Sequence, residues 1–172
     1  MNLPPAPSEQ EILRHRAQRF ALREAPPEAA GAWVDVVEFT LGGERYAVPA
    51  ERVMAVATFT NITALPGVPD FLLGLVTVHG RIVPAVDLRR FLGFSSRGIV
   101  DLHHLVLITD GALTFALVAD LVVGARRFRA ATLAPGVGPI AAHAAGVSPD
   151  GVMLLDVARF CADPRHVIDD KF

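Results

Sequence analysis

The 172-residue chain contains one cysteine, Cys161. A lone thiol excludes an intrachain disulfide framework, and no second thiol follows to complete a zinc knuckle. This usage fits a reduced, cytoplasmic compartment. An excess of positive charge is missing too: 16 Lys and Arg stand against 18 Asp and Glu, for a net charge of −2. Nothing here supplies the broad positive field needed to bind nucleic acid or an anionic membrane surface. No uncharged stretch approaches the ~20 apolar residues of a membrane-spanning helix, so no direct insertion is expected. The opening MNLPPAPSEQEILRHR has prolines and charges where a secretory signal needs an unbroken apolar centre.

Catalytic constellations are equally scarce. His103 and His104 are adjacent and would point to opposite faces of a strand, and His15, His143 and His166 lack ligand spacing. No G-x-S-x-G elbow occurs, and the glycines of GVPDFLLG do not follow a strand and open a helix as a phosphate-cradling loop would. The expectation is no catalytic residue, no metal and no cofactor. Arg126, Arg127 and Arg129 read as a solvated strand edge.

What is present is a chain 52% hydrophobic, enough for one well-packed domain. Ser8 and Glu11 have capping-box spacing, and Leu13, Ala17, Phe20 and Ala21 then form a narrow apolar stripe. This predicts an N-terminal helix, ended by the linker APPEAAGA, so that residues 1–32 stand apart as helix and linker. Such a stripe docks either on its own domain or on a partner.

From Trp33 the chain turns to short β-like runs between turn signals. A constant shift of 69 positions, the separation of Asp87 and Asp156, overlays its two halves. Gly42 falls on Gly111, the YAVPAE beginning at Tyr46 on the FALVAD beginning at Phe115, Pro66-Gly67-Val68 on Pro135-Gly136-Val137, and Arg90-Phe91 on Arg159-Phe160. One unchanged shift aligning a turn, a strand, a loop and a helix indicates an internal repeat. The expected fold is all-β, with two repeated modules of about five strands within 33–99 and 102–162, sharing one core and adding short helical turns. Strand exchange between the modules is left open, and 163–172 reads as a C-terminal tail. Modules this small are too poor in core to stand alone, and small barrels best manage their edges.

The repeat bears on GLVTVHGRIVPAVDL, beginning at Gly74, where His79 and Asp87 invite an acid/base reading. Asp87 and its counterpart Asp156 each follow a β run and precede a short helical turn, the place of a helix-capping carboxylate. His79 has no histidine counterpart, since Ser148 stands at the matched position. It sits at a hairpin tip without an identifiable partner for general-base work. A surplus of apolar surface and a groove between two modules instead suit an amphipathic partner helix or hairpin.

F-x-L-G-G-x-x-Y-A-V-P from Phe39, L-P-G-V-P-D-F from Leu65, the glycines Gly74 and Gly80, and I-V-P-A-V-D-L from Ile82 together resemble the CheW family of chemotaxis coupling adaptors. The likeness spans about residues 33–162. It implies two five-stranded SH3-like barrels around one core and no catalysis. It implies two partners, the regulatory domain of a CheA-type histidine kinase and the cytoplasmic hairpin tip of a chemoreceptor, which would bring a cytoplasmic protein to a membrane-associated array. Carried onto this sequence, Gly74, Thr77, His79, Gly80 and Arg81 match the family's partner-contacting hairpin, and Val53 and Ala55 match its interaction surface. The family usually reads N-x-R-G where this chain has Thr77-Val78-His79-Gly80, and an acidic residue where it has Ala55. Histidine cannot reproduce arginine's permanent charge and five-donor fork, so an altered partner choice is implied. A self-assembling module of a specialised chemosensory pathway is the alternative, and an enzyme using His79 with Asp87 is disfavoured.

Overall fold

The computed structural model describes residues 32–58, 61–94 and 102–166. The N-terminal helix and most of its linker lie outside the described residues. Ten strands and two short helices follow one another: β1 (Trp33–Leu41), β2 (Glu44–Pro49), β3 (Val53–Thr58), β4 (Leu72–Val78), β5 (Arg81–Val86), α1 (Leu88–Phe91), β6 (His104–Thr109), β7 (Thr114–Ala119), β8 (Leu121–Arg129), β9 (Ala144–Val147), β10 (Met153–Leu155) and α2 (Val157–Cys161). The shift of 69 carries β1 onto β6, β2 onto β7, β3 onto β8, β4 onto β9, β5 onto β10 and α1 onto α2, so the sequence repeat is a structural one.

The strands form two five-stranded sheets, ordered β8-β1-β2-β10-β9 and β3-β6-β7-β5-β4. Applying the repeat to the first order returns the second. Neither sheet follows the division of the sequence near residue 100, however. The first takes two strands from the leading half and three from the trailing half, and the second takes the complement. Two antiparallel seams (β1 with β8, β3 with β6) and two parallel seams (β2 with β10, β5 with β7) stitch the halves together. Neither half can therefore leave without stripping backbone hydrogen bonds from both sheets, each loss exposing paired N–H and C=O groups.

Strand chemistry follows position. β3 and β8 are edges and alternate half-buried with exposed side chains along most of their length, whereas β6 and β7 lie inside and are almost continuously buried. One core cluster draws Phe39, Tyr46 and Val48 from the first sheet and Val83, Leu105 and Leu117 from the second. Phe91 of α1 and Phe160 of α2 meet edge to face at 4.7 Å within it. At ~2–3 kcal/mol for each fully buried large apolar side chain, this shared interior is the main stabilising contribution.

Both helices are started by their aspartates. Asp87 accepts from the backbone N–H of Arg89 and Arg90, and Asp156 from that of Arg159. Of the segment read as a C-terminal tail, residues 163–166 are described: Asp163–His166 turn back onto the aromatic core, where His166 lies parallel to Phe91 with ring centres 5.0 Å apart.

Candidate functional site

β4 and β5 form a two-residue hairpin in which Val78 pairs with Arg81, leaving His79 and Gly80 as the turn. Both have positive φ, 49° and 77°, as a type I′ turn requires. His79 is the one non-glycine residue with positive φ among those described. Glycine follows because the second turn position also needs that conformation. Pleating sets the outward row: Thr77 and Ile82 sit opposite each other and are both exposed, Ile82 at 69%, while Val76, Val78 and Val83 fill the interior. His79, Gly80 and Arg81 are exposed at the end of the hairpin.

Gly74 has a different task. It is buried with φ of 141°, and a Cβ there would lie 2.3 Å from the Thr63 carbonyl oxygen. Thr63 and Leu75 exchange backbone hydrogen bonds of 2.8 Å, so the connection from β3 crosses β4 where glycine permits close approach. Gly74 thus shapes the hairpin and offers no side chain to a partner.

Val53 and Ala55 lie on the side of β3 that packs on the core. They are half-buried and packed on the core, and the exposed apolar residues of β3 are Met54 and Val56. β3 and β4 are also opposite edges of the second sheet. The structure therefore brings Thr77, His79, Gly80 and Arg81 together and leaves Val53 and Ala55 apart from them. Ile82, Met54 and Val56 are additions that strand alternation could have supplied once each register was known.

His79 and Asp87 do not meet as acid and base. They bracket the six-residue β5, which spans ~20 Å. Asp87 is 3% exposed, and besides capping α1 it pairs with the buried Arg89 guanidinium at 3.0 Å. Among the described residues no group of three His, Cys, Asp or Glu could hold a metal ion. Burial pushes the Cys161 thiol up to about 11, which keeps it protonated and unreactive at neutral pH.

At the matched place in the other half, the β9–β10 connection is tied down. Ser148, the counterpart of His79, is 5% exposed and donates to Asp150 Oδ1 at 2.7 Å, while its own oxygen accepts from Val152 N–H at 2.9 Å. Asp150 Oδ2 accepts from Arg45 at 3.1 Å and Arg126 at 3.0 Å. Those two arginines also grip Glu38, which is 1% exposed, at 2.7 Å and 2.6 Å. The Ser148 hydroxyl first and Arg126 second hold the Asp150 carboxyl well below the usual carboxylate range. The same carboxylates raise both guanidinium pKa values. Of the three arginines expected at a solvated edge, Arg126 therefore braces a buried carboxylate. Arg127 pairs with exposed Asp35 at 2.8 Å, and Arg129 stands 5.0 Å over the Trp33 ring. By contrast, among the described residues neither the His79 side chain nor that of Arg81 has a hydrogen bond or ion pair. The polar atoms of these two side chains are left for another molecule.

The profile of the CheW-like domain matches residues 35–165. Protein FrzA of Myxococcus xanthus is 34% identical over 136 residues, covering 74% of this chain and 85% of that protein. Protein PilI of Pseudomonas aeruginosa is 28% identical over 131 residues, covering 76% and 73% respectively. The crystal structure of scaffolding protein TtCheW from Thermoanaerobacter tengcongensis superposes with a TM-score of 0.65 over 81% of this chain and 97% of that one. At 21% identity it speaks for the fold, two SH3-like units.

Proposed function

The chain belongs to the CheW-like domain family, and from that premise we propose that it is a non-catalytic adaptor joining chemoreceptors to a CheA-type histidine kinase. The observation that carries this reading is the free end of the β4–β5 hairpin: an exposed Ile82 beside Thr77, His79 and Arg81, with no polar partner of its own for the last two. An apolar centre with unpaired polar neighbours suits a protein partner, because binding removes the isoleucine from water and gives the polar groups new acceptors. The kinase regulatory domain and the cytoplasmic tip of a receptor are the partners this reading names, and the cytoplasm is the compartment in which it meets them. No helix among the described residues is long and apolar enough to cross a membrane.

Titrating the full chain with the cognate kinase regulatory domain and with a receptor-tip fragment tests the proposal. Binding to one or both is expected, and no detectable binding to either would sink it. Ile82→Asp should weaken the complex ~tenfold or more while leaving the unfolding midpoint within ~0.5 kcal/mol of the parent. His79→Arg should tighten binding to a standard receptor tip at matched salt, since it restores a permanent charge and a donor fork. Unchanged affinity in both variants would remove the hairpin from the contact.

A further inference from the structure

Asp163–His166 close over an aromatic floor contributed by both halves of the repeat. The His166 ring lies parallel to Phe91 at 5.0 Å and meets Phe160 at 4.6 Å, Phe115 at 4.5 Å and Phe71 at 5.7 Å. Its Nε2 is buried without a hydrogen-bond partner. Arg165 stands 4.0 Å over Phe91, donates to the Phe91 carbonyl at 2.9 Å and forks onto Asp163. Asp163 also binds His143 Nε2 at 2.8 Å, and the His143 Nδ1 is likewise buried and unpartnered. A segment of four residues thus links the connection before β9 through Asp163, α1 through Arg165 and His166, and α2 through the His166 ring.

We propose that Asp163–His166 is an acid-released clasp: proton uptake by His166 expels its ring from the four-phenylalanine cage, and the segment lifts off the junction of the two repeats. The physical reason is that the added proton places a charged N–H at Nε2, where the surrounding rings offer no acceptor. Among the described residues, the charged and titratable groups beside the ring are Asp163, Arg165 and His143. Asp163 and the Phe160 backbone favour the charged ring, Arg165 and His143 oppose it, and burial outweighs them all, holding the His166 pKa below its ordinary value. Asp163 stays ionised throughout, because Arg165 keeps its carboxyl well below the usual range. The folded clasp therefore carries fewer protons than the unfolded segment. Its stabilisation is complete above ~6.5, the ordinary histidine value, and is lost as pH falls below that.

Hydrogen exchange of the full chain reads the clasp directly through the amides of Asp163, Arg165 and His166, which are bonded to Phe160 O, Asp163 Oδ1 and Asp163 O. After correction for intrinsic rates, protection of the peptide containing these residues should fall ~tenfold between pH 7.5 and pH 5, while peptides from β6 and β7 stay protected. His166→Phe keeps an aromatic ring but cannot take up the proton, so it should stay protected at pH 5. Protection that persists in the parent at pH 5, or an acid loss that survives in His166→Phe, overturns the proposal. Should that variant fail to fold, NMR titration of the parent's His166 ring decides: a midpoint below the ordinary histidine value supports the clasp, and one at or above it refutes it. His79→Gln should leave the transition unchanged, and a shifted transition would place the responsible proton elsewhere.

Discussion

The β4–β5 and β9–β10 hairpins occupy equivalent places in the repeat and treat their tips in opposite ways. In the trailing copy Ser148 turns inward onto Asp150, and Asp150 is held by two arginines that also neutralise the buried Glu38. In the leading copy a two-residue turn leaves the side chains of His79 and Arg81 with no intramolecular polar partner. The backbone requirement is met in both, by Gly80 in one and Gly151, at φ 84°, in the other. A duplicated fold can thus seal one copy of a feature with its own polar groups and keep the other for a partner, because turn geometry asks for a glycine and says little about the neighbouring side chain.

The most damaging way to break this contrast is to remove the carboxylate that anchors the sealed copy. Glu38→Ala would take the buried anion from Arg45 and Arg126 and leave them only Asp150 to share, and the expected cost is ~3 kcal/mol. Urea unfolding measures it; a loss under ~1 kcal/mol would mean the network is loosely held. The free hairpin has its own structural dependence, on Gly74. Gly74→Ala forces a Cβ onto the Thr63 carbonyl at a φ that side chains avoid, for an expected loss of ~2 kcal/mol. Because the crossing strand shapes the hairpin from beneath, partner affinity should fall in step with stability, unlike in Ile82→Asp.

Ser148→Ala is the intermediate case. It removes the donor to Asp150 and the acceptor of Val152 N–H, an expected loss of ~1 kcal/mol at neutral pH. It also alters the acid response. The Asp150 pKa is depressed on folding, so the stabilisation it brings is present above the ordinary carboxylate value near ~4 and lost as pH falls below it. Without the hydroxyl that depression shrinks. The difference in unfolding midpoint between pH 7 and pH 3 should therefore be smaller in the variant than in the parent, and an equal difference would contradict Ser148 as the leading cause.

Much of this was legible in the sequence, for identifiable reasons. The repeat was readable because Asp87 and Asp156 cap equivalent helices and must recur wherever the helix recurs. Strand exchange was left open, since periodicity reports which residues face inward and carries no information on which strand lies alongside. For the same reason the sequence did not show that the pleat packs Val53 and Ala55 against the core and exposes Met54 and Val56. The role of Arg126 was hidden too, because its partner Glu38 lies 88 residues away on a neighbouring strand. His166 looked like part of a tail because a short turn after α2 has no period of its own; only the four phenylalanines from both halves give it a place.

The smallest expected effect separates backbone from side chain at the free tip. His79 holds a φ of 49°, which histidine tolerates and asparagine accepts more readily at the first position of a type I′ turn. His79→Asn should therefore gain ~0.5 kcal/mol of stability, read as a slightly higher urea midpoint. The same change removes the imidazole that stands exposed beside Arg81 and Ile82, so affinity for the partner should fall even as the fold tightens. A variant that gained both stability and affinity would show that the turn conformation, and not the ring, is what the partner meets. The contrast between the two hairpins would then rest on preorganised backbone alone, with Ile82 as its sole contact group.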